Sequence, residues 1–409
     1  MAMRKRIFAG LAAMGLLAAG AAQAEDGPAG LAFYDIPAPL EASARGEVIR
    51  SRALEGTMAL PSAARNHLVM YVSRDPAGQP VAVTGTVSVP KGDPPEGGWP
   101  VVVWTHGTTG LADVCGPSRD DADGPEHGYI QVIRGLLDQV VASGHAVVAT
   151  DYQGLGTGGF HPFLQGVPNA MNALDSLRAG RVLEPEIGTR YAVMGHSQGG
   201  HADLFTASLG TGDLTGFDLV GNVAMAPGSQ IAARLDMVRQ SDQVELSLPY
   251  TVYVLTSYAT THPEIDLTTI LTPAALVAIP ELHVQCMTHA LTTGFWSTAI
   301  AKDQFLPDAD LKGFLKVAAQ NEPGALKIAV PTLILQGDAD TTVFPSATDA
   351  LARELCAGGN AVEYRVLPGA DHDGSMSEGA GAALAFLAAR FAGAEFAPNC
   401  AALPRAAAP

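Results

Sequence analysis

Positive charge is scarce in this chain. Its 409 residues include 24 Lys and Arg against 41 Asp and Glu, a formal net charge of −17, and the pI is near 4.9. So acidic a surface repels phosphate backbones and anionic lipid headgroups, which sets nucleic acid aside as a partner. Charge of either sign is low at 16%, whereas 47% of the residues are apolar. That balance excludes a disordered or fibrous chain and supplies material for a large core. Cysteine is sparse too. The four present (Cys115, Cys286, Cys356 and Cys400) form no Cys-x-x-Cys pair, so neither a zinc knuckle nor a redox motif is indicated. The eleven histidines make no metal-spaced set with Cys or carboxylates. Asp120 to Gly124 looks like the start of a calcium loop, but position twelve counted from Asp121 is Val132 and the required Glu is missing. Neither a metal nor a cofactor is expected.

The N-terminus is read as a signal peptide rather than a membrane anchor. The apolar stretch Ile7 to Ala19 is shorter than the roughly 20 residues a span needs, and no Cys before Cys115 is available for a lipid anchor. Arg4-Lys5-Arg6 precedes that stretch and Ala22-Gln23-Ala24 follows it, the pattern of a secretory signal peptide over residues 1–24. The mature protein is then expected to be secreted, extracellular or periplasmic, without stable membrane insertion. An even number of cysteines suits two disulfides in an oxidising compartment. Four cysteines allow three pairings, and their positions alone do not choose one.

The length allows two domains, or one large domain with an insertion. Apolar, β-branched runs read as strands at Leu68 to Ser73, Val81 to Val89, Val101 to Thr105, Ala146 to Thr150, Tyr191 to Met194, Val220 to Ala224 and Thr332 to Leu335. Helical patterns fall between many of them, at Ile130 to Ala142, Asn169 to Ala179, Gly199 to Leu209 and Ser346 to Leu355, with a further one at Gly379 to Phe391. Strands alternating with helices predict an α/β fold with a mostly parallel sheet covered on both faces. From Ser229 to Gly324 the rhythm stops, and helical or irregular segments such as Leu267 to Ile279 and Phe314 to Gln320 take over. This region is expected to be an inserted helical cap, or lid. It divides one core into residues 25–228 and 325–400, with a loose tail at 401–409.

Three sites carry chemistry. Gly195-His196-Ser197-Gln198-Gly199 follows a strand and precedes a helix, the context of a G-x-S-x-G nucleophile elbow. Glycines flank the serine because a sharp strand-to-helix turn leaves no room for side chains there. In this arrangement an acid and then a histidine follow the serine along the chain. His372, in the turn-rich loop Pro368 to Gly374, is the one histidine beyond the last strand signal. The acid should end a strand between them. Asp338-Ala339-Asp340 follows the strand that runs to Gly337, and Asp340 is the choice, with Asp338 as the alternative. The acid would hold the imidazole in the tautomer that accepts the serine proton. An oxyanion hole would draw on the backbone N–H of Gln198 and on a second amide in the loop His106-Gly107-Thr108-Thr109-Gly110, with Thr108 chosen ahead of Gly107 and Thr109. His106 is read as a loop support.

These residues resemble a known family. Val103-Trp104-Thr105-His106-Gly107-Thr108-Thr109-Gly110, followed by Cys115-Gly116-Pro117-Ser118, looks like the front of the secretory lipases of the Candida antarctica lipase A type. Asp151-Tyr152-Gln153-Gly154-Leu155-Gly156 is similar to a second signature of that family, and the serine and Gly337 to Asp340 segments complete the match. The resemblance runs from about Ala32 to Cys400. It implies an α/β-hydrolase fold, a Ser197–Asp340–His372 triad, a large helical lid and hydrolysis of carboxylic esters, acylglycerols included. It also implies disulfides Cys115–Cys286 and Cys356–Cys400. The chain departs from the family in its oxyanion loop, where fungal members tend to carry an acidic residue and Gly107-Thr108 stands here.

The reading is therefore a secreted serine esterase or lipase acting on a small-molecule or lipid ester, as a monomer with transient contact to a lipid interface. Two others compete with it. A serine peptidase or amidase would use the same triad, but nothing here looks like a propeller domain or an acidic clamp for a peptide amine. A non-catalytic binding protein on this fold would not need every catalytic position filled.

Overall fold

The computed structural model describes residues 25–37, 40 and 43–403. The expected signal peptide, residues 1–24, and residues 404–409 of the expected tail lie outside them. Among the described residues the strands are β1 (Glu25–Asp26), β2 (Val48–Ala53), β3 (Ala63–Arg74), β4 (Pro80–Pro90), β5 (Trp99–Thr105), β6 (Ala146–Thr150), β7 (Ile187–His196), β8 (Asp218–Met225), β9 (Thr332–Gly337) and β10 (Val362–Leu367). They form one sheet in the order β1-β2-β3-β4-β6-β5-β7-β8-β9-β10. The six strands from β6 to β10 are mutually parallel, and the β2-β3-β4 edge joins them antiparallel through β4 and β6.

Period-two alternation in the central strands divides the apolar side chains between two cores. Val101 and Val103 of β5, Tyr191 and Val193 of β7, and Ile334 of β9 point to one face. Val102, Trp104, Ala192, Met194, Leu333 and Leu335 point to the other. Helices α2 (Gly166–Leu183), α3 (Gln198–Asp213) and α9 (Pro345–Ala357) cover the first face. Helices α1 (His127–Ala142) and α11 (Ala380–Phe391) cover the second. Each fully buried Leu, Ile or Val is worth about 1.5–3 kcal/mol, so the doubly covered strands are the most stable part of the molecule. They are also the strands whose ends carry the site.

Every strand read from the sequence is present, and most run further than their apolar centres. Ala63–Arg74 extends beyond Leu68 to Ser73 through Ala-Ala-Arg-Asn-His, whose exposed and half-buried positions after Ala63 make no apolar run. Strand β2, with its two arginines and no fully buried residue, offers no apolar signal. Between β8 and β9 come α4 (Ile231–Gln240), α5 (Ser247–Thr261), α6 (Pro273–Leu282), α7 (Met287–Thr292) and α8 (Lys312–Gln320). They share an apolar cluster of their own, with Leu235, Val252, Leu255, Tyr258, Trp296 and Phe314 at its centre. The segment Leu267 to Ile279, read as helical or irregular, is a short turn at Leu267–Thr269 followed by α6. Pro273 is the reason. It disfavours helical backbone in the residue before it, and Thr272 is extended and caps the new helix by accepting a hydrogen bond from Ala275 N–H. No described helix is long and apolar enough to cross a membrane.

Candidate active site

Ser197 sits on the turn between β7 and α3 with φ 58° and ψ −118°, a region that costs a non-glycine residue about 1–3 kcal/mol. The surroundings hold it there. Its N–H donates to Met225 O at 2.9 Å, and its carbonyl accepts from Gly228 N–H at 2.9 Å. A Cβ on Gly195 would overlap Thr105 Oγ1, and one on Gly199 would overlap the Thr105 carbonyl. The two glycines thus let β7 and α3 press against the end of β5. In this pose Ser197 heads α3, whose first amide is that of Gln198.

The expected acid and histidine come together. His372 Nδ1 donates to Asp340 Oδ2 at 2.8 Å. Asp340 is buried, and its other oxygen accepts from Thr342 N–H at 2.8 Å and Val343 N–H at 2.9 Å. Gln336 Nε2 adds a bond to Oδ2 at 3.0 Å. Burial works against the carboxylate, but these donors and the imidazole outweigh it and hold the Asp340 carboxyl below the ordinary aspartate range. Asp338 points elsewhere, accepting from Gly369 N–H at 2.6 Å, and so braces the turn.

The loop after β5 is tied to His372 by a chain of hydrogen bonds that carried no sequence signal. Gly107 N–H donates to Tyr129 Oη at 3.0 Å, Tyr129 Oη donates to His196 Nδ1 at 2.8 Å, and His196 Nε2 donates to the His372 carbonyl at 3.1 Å. This pattern assigns the His196 proton to Nε2. Burial, with His372 beside it, pushes the His196 imidazole well below its usual range, so it stays neutral. The Gly107 amide is thereby engaged, which leaves Thr108 as the loop residue that borders the same space as Ser197. His106 supports the loop as expected, with its ring nitrogens against the carbonyls of Gly107 (2.6 Å) and Asp151 (3.2 Å).

The two family-like signatures pack on each other behind this loop. Asp151 accepts from Ser118 N–H at 3.0 Å, from Ser118 Oγ and from Thr84 Oγ1 at 2.7 Å. Gln153 O accepts from His161 Nδ1 at 2.9 Å, and His161 Nε2 accepts from the Gln198 amide at 2.7 Å. Burial drives the His161 imidazole down to about 3, which keeps Nε2 free to accept. The Gln198 side chain is thus locked from the Asp151 to Gly156 segment. Cys115 and Cys286 are bonded, as are Cys356 and Cys400. The first pair joins the loop that follows β5 to the start of α7, where Met287 N–H also donates to Thr109 O at 2.9 Å.

Two cavities meet at Ser197 and Thr108. One, of about 350 Å3, is bordered by apolar side chains that include Phe163, Leu235, Val254 and Phe314. Arg234 at its rim lies over the Phe344 ring, 4.7 Å from the centroid, and donates to the Thr342 carbonyl. The other, of about 290 Å3, is the more polar and includes Glu126, Thr288, Asp371, His372 and Asp373 beside apolar Met287 and Leu291. Burial lifts the Glu126 carboxyl to about 7, against the lowering effect of its bonds from Thr288 N–H (2.7 Å) and Oγ1 (3.1 Å). Glu126, Tyr129, His196 and Tyr250 all border the site without belonging to a recognisable motif, apart from His196 inside the pentapeptide. Among the described residues no three His, Cys, Asp or Glu side chains are grouped to hold a metal ion.

Solved structures with this architecture include Candida antarctica lipase A. It is 19% identical over 91% of this chain and 88% of its own, with a TM-score of 0.76. The rice cell wall degrading esterase LipA from Xanthomonas oryzae aligns at 19% identity over 86% of this chain and all of its own, with a TM-score of 0.70. Such low identities establish a shared α/β-hydrolase fold. No curated protein sequence matches the chain. A family model does, over residues 128–399, from the start of α1 to the residue before the last cysteine. By that match the chain is a member of the secretory lipase family.

Proposed function

We propose that this protein is an exported serine hydrolase of carboxylic esters, an esterase or lipase working through Ser197, His372 and Asp340. The observation that carries the reading is the Asp340–His372 pair, bonded at 2.8 Å, on the cavity that Ser197 also borders. Ser197 Oγ attacks the ester carbonyl carbon while His372 Nε2 takes its proton, and Asp340 stabilises the imidazolium that forms. The developing oxyanion accepts hydrogen bonds from the amides of Gln198 and Thr108 at the positive end of α3. Collapse of the tetrahedral species expels the alcohol, protonated by His372, and leaves an acyl-enzyme. Water then attacks the acyl carbon by the same route and releases the acid. The helices between β8 and β9 act as a cap whose apolar cavity receives the acyl chain. Family membership and two disulfides support export through the residue 1–24 signal peptide.

Labelling with a fluorophosphonate, followed by hydrolysis of paired p-nitrophenyl esters and anilides, tests this reading. The wild type should label and cleave the ester well above the anilide, and Ser197→Ala should lose both labelling and turnover while melting as the wild type does. Labelling that survives Ser197→Ala would assign the nucleophile elsewhere, and anilide cleavage equal to ester cleavage would make the protein an amidase.

A further inference from the structure

The two cavities on either side of Ser197 differ in chemistry, and the reaction decides which part of an ester enters each. This step rests on the ester-hydrolase reading above. The leaving oxygen must take its proton from His372, so the alcohol has to lie on the histidine side. His372 borders the polar cavity and is absent from the border of the apolar one. The acyl chain then belongs in the apolar cavity and the alcohol in the polar one.

The polar cavity suits a hydrocarbon less than the apolar one does. Carboxyl-bearing Glu126, Asp371 and Asp373 and hydroxyl-bearing Thr288 and Thr341 border it alongside Met287 and Leu291, while Tyr250 borders both cavities. An alkyl chain placed there would strip water from these groups without replacing its hydrogen bonds. Its volume, about 290 Å3, is of the order of ten times a water molecule's share of the liquid. That is room for a three-carbon polyol or a single monosaccharide. Glu126 has a carboxyl held near 7, so close to neutrality it offers both a donor and an acceptor to a hydroxyl.

We propose that the polar cavity is the alcohol subsite and that the protein prefers monoacyl esters of a small polyhydroxylated alcohol. Hydroxyls of that alcohol donate to Asp371 and Asp373 and exchange hydrogen bonds with Glu126, while the single acyl chain lies between α4, α5 and α8.

The test compares three butanoates below their solubility limits: the glycerol monoester, the n-butyl ester and the p-nitrophenyl ester. Glycerol monobutanoate should exceed n-butyl butanoate in kcat/KM by tenfold or more. Glu126→Leu and Asp373→Leu should each cut that ratio severalfold or more, because they exchange an acceptor for an apolar group. Asp373→Leu decides the matter should Glu126→Leu fail to fold, since Glu126 also holds Thr288. Equal rates on the two alkyl esters, alongside brisk p-nitrophenyl butanoate hydrolysis, overturn the alcohol subsite and leave the esterase reading standing. A ratio that persists in every folded variant also overturns it. Failure to hydrolyse any of the three esters brings down both readings together.

Discussion

Two residues apart in one turn, Asp338 and Asp340 have opposite surroundings. Asp340 is buried among four donors, whereas Asp338 is half-buried and bonds Gly369 N–H alone. Asp340→Asn keeps the shape but removes the charge that faces the imidazolium, so kcat should fall by about 10^2–10^4-fold. Asp338→Asn should cost about 1 kcal/mol of stability and change kcat less than threefold. Steady-state rates on one p-nitrophenyl ester check both, and a larger loss in Asp338→Asn would reverse the assignment. The serine was legible because its motif encodes steric need at fixed spacing. Choosing between the aspartates was harder, since both fit the turn and only side-chain direction separates them. Tyr129 was invisible: it lies 68 residues before its partner elbow in the chain order and meets it only through folding, with Oη 2.8 Å from His196 Nδ1.

At the scale of elements, α1 and α7 meet through Glu126, which precedes α1 and receives two bonds from Thr288. Because burial raises this carboxyl from 4.5 to about 7, the folded protein holds a proton that the unfolded chain releases. The associated stability is whole below the unfolded value and is lost as pH rises through about 7, with a ceiling of about 3 kcal/mol. Glu126→Gln should remove that dependence. Melting curves from pH about 5 to about 8 should show a fall in Tm for the wild type that the variant lacks. Equal slopes would mean that Glu126 ionises normally in the folded state.

The helices α4, α5 and α8 invite a second measurement. Val254 borders the apolar cavity from α5 and Phe314 borders it from α8. Val254→Trp or Ala233→Phe should shorten the accepted acyl chain, lowering octanoate hydrolysis relative to acetate. Changes of up to tens-fold are expected, since each methylene subsite discriminates by about 1–3 kcal/mol. If acetate and octanoate esters lose activity in equal proportion in both variants, the cavity does not receive the acyl chain. The insertion as a whole was legible as a break in the strand–helix rhythm. Its internal boundaries were not, because helix starts there depend on residues such as Pro273 rather than on periodicity.

Across the whole molecule, two disulfides close loops of 171 and 44 residues. In the chain-entropy model each removes roughly 4–5 kcal/mol of unfolded-state freedom. Intact mass without reduction should show all four cysteines oxidised, and peptide mapping should join Cys115 to Cys286 and Cys356 to Cys400. Free thiols at Cys115 and Cys286 in exported protein would detach the helical insertion from the loop bearing Thr108. Cys115→Ser with Cys286→Ser should lower Tm and also weaken kcat, since Gly110 pairs with Cys286 beside that loop.

What the chain determines by itself is local and steric. Alternating apolar strands and periodic helices specify a two-faced parallel sheet, because each element must bury one face or both. Glycines at 195 and 199 specify a turn that any side chain would obstruct, and that turn presents a serine. Partnership across the fold is different in kind. Asp340 rather than Asp338 meets His372, the Gly107 amide is taken by Tyr129, and Glu126, just before α1 and 71 residues from Ser197 in sequence, borders the same cavity as that serine. These outcomes depend on which side chains the packed sheet brings together, and sequence spacing carries no record of such proximity. The division of the site into an apolar and a polar cavity is likewise a property of packed surfaces, since residues from β5's loop, α1, α5, α7 and the loops after β9 and β10 border it together.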